Sequence, residues 1–234
     1  MRSLLIAPAD EKRLAGALSS GADAVAVDLA RVPAGEKEAA RVLAGRFLKE
    51  ARGRGPRLIV RVSPLDSSEA DSDLDAAIAH APDAILLPKS LGAASVQRLS
   101  AKIAVREADF ALPDGSTRIV AVVDTAQALF GLGSYRGASA RLIAIAWSAE
   151  ALRADIGAGT DGGPSGPHAG PCRLARDMTL FAAASAGVAA LDAAFAGEGD
   201  VRAEALAARR DGFSGKIAIN PAQAGIINDV FRRE

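Results

Sequence analysis

The chain contains 234 residues, 50% of them apolar, and its 28 basic residues balance 28 acidic ones. The length suffices for one large domain with a buried core, and the charge balance excludes a global field that steers a protein to nucleic acid or an anionic membrane. A single cysteine, Cys172, excludes an intramolecular disulfide framework, and no apolar run approaches the length of a membrane span. We therefore expect a cytoplasmic protein whose partner is a small molecule.

Short apolar runs recur along the chain and predict eight β-strands. The runs cover residues 4–8, 24–29, 58–62, 84–89, 119–125, 142–147, 188–192 and 216–221. Each run is almost continuously apolar, without polar alternation, which is typical of strands buried on both faces of a parallel sheet.

Alanine-rich segments with helical periodicity separate these runs, for example residues 11–18, 36–50 and 172–187. Strand and helix units that alternate at roughly thirty-residue spacing fit a closed (β/α)8 barrel of the TIM type better than an open parallel sheet. We predict an α/β fold with one such barrel domain over residues 1–234.

One segment does not fit this alternation. Residues 157–171 contain six glycines and three prolines, a density that predicts a loop. The loop is either a flap over the barrel mouth or a surface excursion without a role. His168 lies in it and is interpreted as a solvated residue. Because His80 stands in an unrelated context, no zinc site is predicted.

Polar residues at the ends of the strands are the candidates for function, because a barrel of this type holds its active site at the carboxyl ends of its strands. They are Pro8, Asp10, Asp28, Arg31, Arg61, Ser63, Lys89, Asp124, Thr125, Ser148, Glu150, Asp192, Lys216 and Asn220. Basic side chains and carboxylates in one concave mouth suit an anionic substrate of the carboxylic acid type.

Arg61 is the sharpest candidate, because it interrupts the apolar run L-I-V-R-V. A guanidinium buried in a strand is costly without an anionic partner, and it can bind a carboxylate with two hydrogen bonds. The alternative is an internal Arg–Asp pair inside the barrel. Asp124 ends another run and could bind a metal or accept a proton, or the Asp-Thr end could cap the next helix. Lys89 is either a solvated strand end or an anion contact.

The strand-end motifs, taken in order, resemble the citrate lyase beta-chain-like branch of the HpcH/HpaI aldolase superfamily. The motifs are P-A-D-E-K-R-L (8–14), A-V-D-L (26–29), V-R-V-S-P-L-D (60–66), L-L-P-K (86–89), V-V-D-T-A-Q-A-L (122–129), W-S-A-E-A-L (147–152) and G-K-I-A-I-N-P-A-Q (215–223). The resemblance implies an eight-stranded α/β barrel. It also implies Mg²⁺-dependent cleavage or formation of carbon–carbon bonds, typically on CoA thioesters of hydroxy acids such as citryl-CoA or malyl-CoA.

By this resemblance, Arg61 takes the position of the arginine that binds substrate and neutralises the charge of an enolate. Asp124 takes the position of a glutamate that holds both metal and substrate. Asp28, Lys89 and Glu150 are the further predicted substrate-binding residues. Catalysis is therefore expected from Arg61 and Asp124, with Asp124 as the predicted metal ligand.

Three departures from the family pattern concern the charges at the mouth. The chain has V-D-T-A where the family usually has I-E-T-A, so Asp124 is a shorter carboxylate. S-A-E-A replaces G-A-E-D or G-P-E-D, which puts Ala151 at the second metal-ligand position and leaves Glu150 as the neighbouring glutamate. D-L-A-R replaces D-L-E-D, which retains Asp28 and puts Arg31 where an acid commonly stands.

The leading hypothesis is a carbon–carbon lyase or aldolase that acts on a carboxylate-bearing or CoA-linked hydroxy acid through metal-assisted enolate chemistry. One alternative is a barrel that has lost catalysis and binds a metabolite or a protein partner. Another is a metal-free thioester hydrolase that uses Asp28 or Asp124 as general base. The resemblance also implies a homo-oligomer, a trimer or hexamer, although the sequence ends soon after the eighth strand without the C-terminal extension that many members carry.

Overall fold

Eight parallel strands close into a barrel in the computed structural model, which describes residues 1–158, 170–196 and 199–232. Each strand pairs with the next along the chain, and the last pairs with the first. The strands are β1 Ser3–Pro8, β2 Ala24–Asp28, β3 Arg57–Arg61, β4 Ala84–Leu87, β5 Arg118–Val123, β6 Leu142–Trp147, β7 Ala189–Asp192 and β8 Gly215–Ala218. The predicted (β/α)8 barrel is confirmed.

Helices connect successive strands and cover the outside of the barrel. They are α1 Glu11–Leu18, α2 Lys37–Ala51, α3 Ala70–Ile78, α4 Ala93–Asp109, α5 Ala126–Gly131, α6 Ala149–Asp155, α7 Gly170–Ala186, α8 Val201–Asp211 and α9 Pro221–Val230, with short 3-10 helices at Ala34–Glu36 and Leu132–Tyr135. Most of the predicted 157–171 loop, including His168, lies outside the described residues.

Two apolar clusters fill the fold, one on each face of the strands. The smaller cluster consists of strand residues at alternating positions, such as Ala24 and Ala26 in β2, and occupies the barrel interior. The larger cluster joins the intervening residues, such as Val25 and Val27, to the helices. Both faces are buried, which explains why the strands read as continuous apolar runs.

Several of the helices that follow the carboxyl ends of strands begin with side-chain caps. Asp10, Thr125, Ser148 and Asn220 each accept a hydrogen bond from a backbone N–H in the first turn of the following helix. These caps satisfy donors that a helix start leaves open, and they fix the turns around the barrel mouth. Within the described residues, no helix combines the length and the apolarity that a membrane crossing requires.

Candidate active site at the barrel mouth

Asp28 and Arg61 end neighbouring strands and face each other in register. Asp28 and Arg61 lie two residues after Ala26 and Ile59, which belong to the interior cluster. Both side chains therefore start from the inner face of the barrel. Arg61 Nη1 donates to Asp28 Oδ2 at 3.2 Å. The internal Arg–Asp pair that the sequence left open is therefore present.

The Asp28–Arg61 pair leaves part of the guanidinium unsatisfied. Arg61 Nε is buried and has no hydrogen-bond partner among the described residues, while 11% of the side chain remains exposed. A buried donor without a partner costs about 1–3 kcal/mol, and an ordered water is one way to satisfy it. The exposed part of the guanidinium lines the cavity. Arg61 thus retains capacity for an anion at the mouth.

Asp124 follows β5 at the same end of the barrel and is 4% exposed. Its Oδ1 accepts a hydrogen bond from the Lys89 backbone N–H at 2.8 Å. Burial raises the pKa of Asp124, and the Lys89 hydrogen bond and the Arg61 charge oppose this shift without cancelling it. Thr125, and not Asp124, caps α5. Asp124 is therefore a buried carboxylate whose pKa is affected by the Arg61 charge.

Glu150 begins α6 and forms an ion pair with Arg31, 119 residues earlier in the chain, at 3.0 Å. The pair crosses the mouth from the β2 side to the β6 side. The two side chains are 59% and 70% exposed, respectively. An ion pair this open to water contributes little to stability, about 0–1 kcal/mol, and its partners exchange easily.

A cavity of about 860 Å³ opens at this end of the barrel. Its basic wall residues are Arg31, Arg61, Arg153 and Lys216, and its carboxylates are Asp10, Asp28, Glu36, Glu150 and Glu204. Apolar residues complete the wall, among them Val32, Pro33, Leu43 and Phe195. This mixture of an apolar surface and a few polar groups is typical of a small-molecule site.

A buried ion cluster lies behind Arg61 and joins the ends of β2 and β3. Lys37 Nζ donates to Leu29 O at 2.6 Å, to Ser63 Oγ at 2.6 Å and to Asp73 Oδ2 at 3.2 Å. Ser63 and Arg41 also donate to the Asp73 carboxylate. Because Leu29 and Ser63 follow Asp28 and Arg61 closely, the cluster fixes the two strand ends that carry the pair.

A second buried cluster joins the ends of β6, β7 and β8. The Asp192 carboxylate accepts hydrogen bonds from Lys216 Nζ at 2.8 Å, Trp147 Nε1 at 2.8 Å and Arg176 Nε at 3.0 Å. Burial alone raises the pKa of Asp192, but the charges of Lys216 and Arg176 outweigh burial and hold the pKa below its ordinary value.

A sequence model of the family described as HpcH/HpaI aldolase/citrate lyase matches residues 2–221. The chain belongs to the HpcH/HpaI aldolase/citrate lyase family. It is 33% identical over 215 residues to the citrate lyase subunit beta of Leuconostoc mesenteroides subsp. cremoris, covering 90% of this chain and 70% of that one. It is 31% identical over 242 residues to a (3S)-malyl-CoA thioesterase of Cereibacter sphaeroides, covering 98% and 76%.

A solved structure in the HpcH/HpaI aldolase/citrate lyase family has the same fold. It is CitE of Mycobacterium tuberculosis in complex with magnesium, acetoacetate and coenzyme A, with a TM-score of 0.81, 28% identity, and coverage of 100% of this chain and 81% of that one. Together these relatives confirm the citrate lyase beta-like branch and, at the level of the family, the lyase interpretation.

Within the described part of the chain, the carboxylates at the mouth do not form a group suited to the magnesium ion that the resemblance implies. Asp124 offers one carboxylate, with Oδ1 already bonded to Lys89, and the second predicted ligand position holds the methyl group of Ala151. Glu150 is paired with Arg31. Among the described residues, no three His, Cys, Asp or Glu side chains group to hold a metal. Because Mg²⁺ prefers several hard oxygen donors, this donor set does not fit it, and no step is derived through the metal.

The predicted site residues gather at one end of the barrel, with unequal access to the cavity. Arg61, Asp28 and Glu150 line it, whereas Asp124 is buried and outside its wall. The Lys89 side chain is exposed, also outside the wall, while its backbone binds Asp124. The roles of all five in substrate or metal binding stay predictions.

The sequence analysis missed the basic residues that support the mouth from behind. Lys37 and Arg176 lie on helices, and each reaches a strand-end carboxylate or hydroxyl. A signal existed for Asp73, which falls on the apolar face of α3 with Ala70 and Ala77, where a charge needs a buried partner.

Proposed function

We propose that this chain is a citrate lyase beta-like carbon–carbon lyase or aldolase that acts on a carboxylate-bearing, CoA-linked hydroxy acid. The observation that carries the proposal is the Arg61 guanidinium at the cavity wall, held by Asp28 and left with a buried, unpartnered Nε. The exposed 11% of the same side chain can donate to a substrate carboxylate or oxo oxygen. The magnesium and coenzyme A named for the M. tuberculosis relative are properties of that protein. For this chain, coenzyme A is a proposed part of the substrate.

The chemistry of cleavage places a charge where Arg61 can act. The substrate hydroxyl loses its proton to a base, the carbon–carbon bond breaks, and its electron pair moves onto the carbon next to the thioester. The products are an oxo acid and a thioester enolate, which then takes up a proton. A fixed guanidinium in a partly water-excluded cavity stabilises the anionic oxygens that develop in this step.

Asp28 and Asp124 have different proposed roles in this reaction. Asp28 reaches the cavity wall and fixes the Arg61 fork, so that the guanidinium approaches the substrate in one orientation. Asp124 is the rim carboxylate whose pKa burial raises, which makes it a stronger proton acceptor than an ordinary aspartate. We propose Asp124 as the proton acceptor for the bound substrate.

The apolar side of the cavity is the proposed place for the thioester arm. Val32, Pro33 and Leu43 line the same cavity as Arg61 and Asp28. A volume of about 860 Å³ lies in the range of sites that enclose a drug-sized ligand. One cavity therefore offers both an anion contact and an apolar surface to an acyl thioester.

Thioester hydrolysis is a second candidate, favoured by the position of Asp28 in the cavity wall. In that reaction water adds to the thioester carbonyl, a carboxylate accepts the water proton, and the thiol leaves. The experiment that separates the two reactions follows products of malyl-CoA and citryl-CoA. An oxo acid with an acyl-CoA product reports cleavage, whereas free CoA with an intact hydroxy acid reports hydrolysis. Hydrolysis that survives chelation and is lost in Asp28→Asn identifies a hydrolase.

The test of the Arg61 role compares Arg61→Ala with Arg57→Ala. Arg57 is exposed at the opposite end of the same strand, so its variant controls for the loss of an arginine from β3. We expect Arg61→Ala to lower turnover by about 100- to 1000-fold, in the range found for a single donor to a developing oxyanion. Arg57→Ala should retain wild-type turnover. Equal turnover in the two variants would contradict the proposal.

We also propose that the protein acts in the cytoplasm as a homo-oligomer. The single cysteine supports a reducing compartment. Exposed aromatic side chains on neighbouring helices, Phe130 on α5 and Phe181 on α7, support self-association.

A further inference from the structure

We infer that Arg31 is a specificity-determining residue that binds a second carboxylate of the substrate, and that the site takes this dicarboxylate without a divalent cation. The inference deepens the proposed function and rests on it. In this structure the Arg31 guanidinium donates to the Glu150 carboxylate, which takes the place of that second carboxylate. The substrate class is a hydroxy acid thioester whose oxo acid product is a short dicarboxylate, in place of a monocarboxylate.

Arg31 and Arg61 belong to the same cavity. Both line its wall, and both are tied to Asp28, Arg61 through Nη1 and Arg31 through its backbone N–H at 3.3 Å. A ligand anchored on Arg61 is therefore next to the segment that carries Arg31. Two guanidinium groups around one cavity suit a ligand with two anionic ends.

The ion pair between Glu150 and Arg31 is easily separated. The ion pair makes one hydrogen bond, Arg31 Nη2 to Glu150 Oε2, and both side chains are more than half exposed. Water screens such a pair, so its separation costs little. When one carboxylate of a ligand is held at Arg61, its second carboxylate is present at a high effective concentration near Arg31 and competes with Glu150. This second carboxylate can bind the Arg31 guanidinium with two hydrogen bonds.

The described ligand atoms at the mouth do not suit a divalent cation. Arg31 holds a permanent positive charge at the Glu150 carboxylate, and Ala151 next to it offers no ligand atom. Asp124 is buried, and its Oδ1 already accepts a hydrogen bond from the Lys89 backbone N–H. The positive charges at this mouth are therefore side chains of the chain itself, namely Arg31, Arg61, Arg153 and Lys216.

The experiment measures dissociation constants by titration calorimetry for freshly dissolved oxaloacetate and pyruvate, in EDTA and in excess magnesium. The two ligands share the oxo acid end and differ by one carboxylate. We expect the wild type to bind oxaloacetate about ten- to a hundredfold more tightly than pyruvate in EDTA, the worth of a charge-assisted hydrogen bond, with no gain from magnesium. Arg31→Ala should remove this preference and leave pyruvate binding unchanged.

Two further variants separate this role from a structural one. Glu150→Gln frees the guanidinium and should tighten oxaloacetate binding, whereas loss of a merely structural ion pair would weaken it or leave it unchanged. Arg46→Ala is the matched control, because Arg46 forms a similarly exposed pair with Glu11 on the outer surface. It should alter neither dissociation constant.

The outcomes distinguish the inference from the proposed function. Oxaloacetate binding that requires magnesium, or an oxaloacetate preference that persists in Arg31→Ala, overturns the inference and leaves the Arg61 proposal standing. Loss of binding of both ligands in Arg61→Ala supports the proposed function. Absence of binding of either ligand to the wild type in both buffers overturns the proposed function and the inference together.

Discussion

Replacement of Lys37 by methionine tests whether the buried cluster behind Arg61 holds the two strand ends in place. Lys37 is 5% exposed, and its ammonium group donates to Leu29 O, Ser63 Oγ and Asp73 Oδ2. Methionine keeps most of the aliphatic volume but removes the charge and all three hydrogen bonds.

The size of the effect follows from the partners that remain. Asp73 keeps the Arg41 ion pair and two hydrogen bonds from Ser63, and Leu29 O keeps the Val32 N–H. No group is therefore left fully unpaired, and we expect a loss of about 2–3 kcal/mol, below the 3–5 kcal/mol typical of an abandoned buried charge. For a domain of this size, this corresponds to a melting temperature lower by about 5–10 °C.

Urea unfolding at neutral pH, followed by circular dichroism, measures the difference. The matched control is Lys49→Met, because Lys49 is an exposed lysine on the same helix. Its variant should stay within about 0.5 kcal/mol of the wild type. If Lys37→Met and Lys49→Met unfold at the same urea concentration, the cluster does not stabilise the mouth and the reasoning fails.

Two more predictions concern titration. The pKa of Asp192 is held low in the folded state, so its stabilising contribution is fully present above the unfolded pKa near about 4 and is lost as pH falls through the lower folded value. The difference in unfolding free energy between wild type and Asp192→Asn should therefore be constant from neutral pH down to about 5 and should shrink below about 4. A difference that grows in acid would contradict this prediction. Tyr135, the single tyrosine, bonds Ser90 through its hydroxyl, and burial raises its pKa to about 12. Ultraviolet difference absorbance should show no phenolate near pH 10 in the folded protein, whereas the protein unfolded in urea should form phenolate near that pH. Phenolate near pH 10 in the absence of urea would exclude the buried hydrogen bond.

The barrel could be predicted because its strands are buried on both faces. All eight predicted runs contain the observed strands to within a few residues, and the run 142–147 coincides with β6. Continuous apolar runs separated by helical segments leave few other arrangements. The same logic placed Asp28 and Arg61 at one rim, since both end their strands.

The pairing of side chains at that rim could not be predicted, because it depends on contacts between distant parts of the chain. Arg31 and Glu150 are 119 residues apart, and neither position alone indicates the other. Lys37 reads as an ordinary helix-start lysine until α2 packs beside β2 and β3. The sequence did indicate two alternatives for Arg61, and the structure contains the Asp28 contact while leaving Nε available.

The in-register neighbours Asp28 and Arg61 also determine which changes of length the chain can tolerate. Deletion or insertion of a single residue within β3 would turn Arg61 from the lumen toward the helical layer, because successive strand residues point to opposite faces. In the turns that follow the strands, residues do not alternate between two faces, so an insertion or deletion there leaves the strand side chains on the same face. Divergence of substrate range among barrels built this way should therefore accumulate as indels in those turns, while β2 and β3 keep a constant residue count.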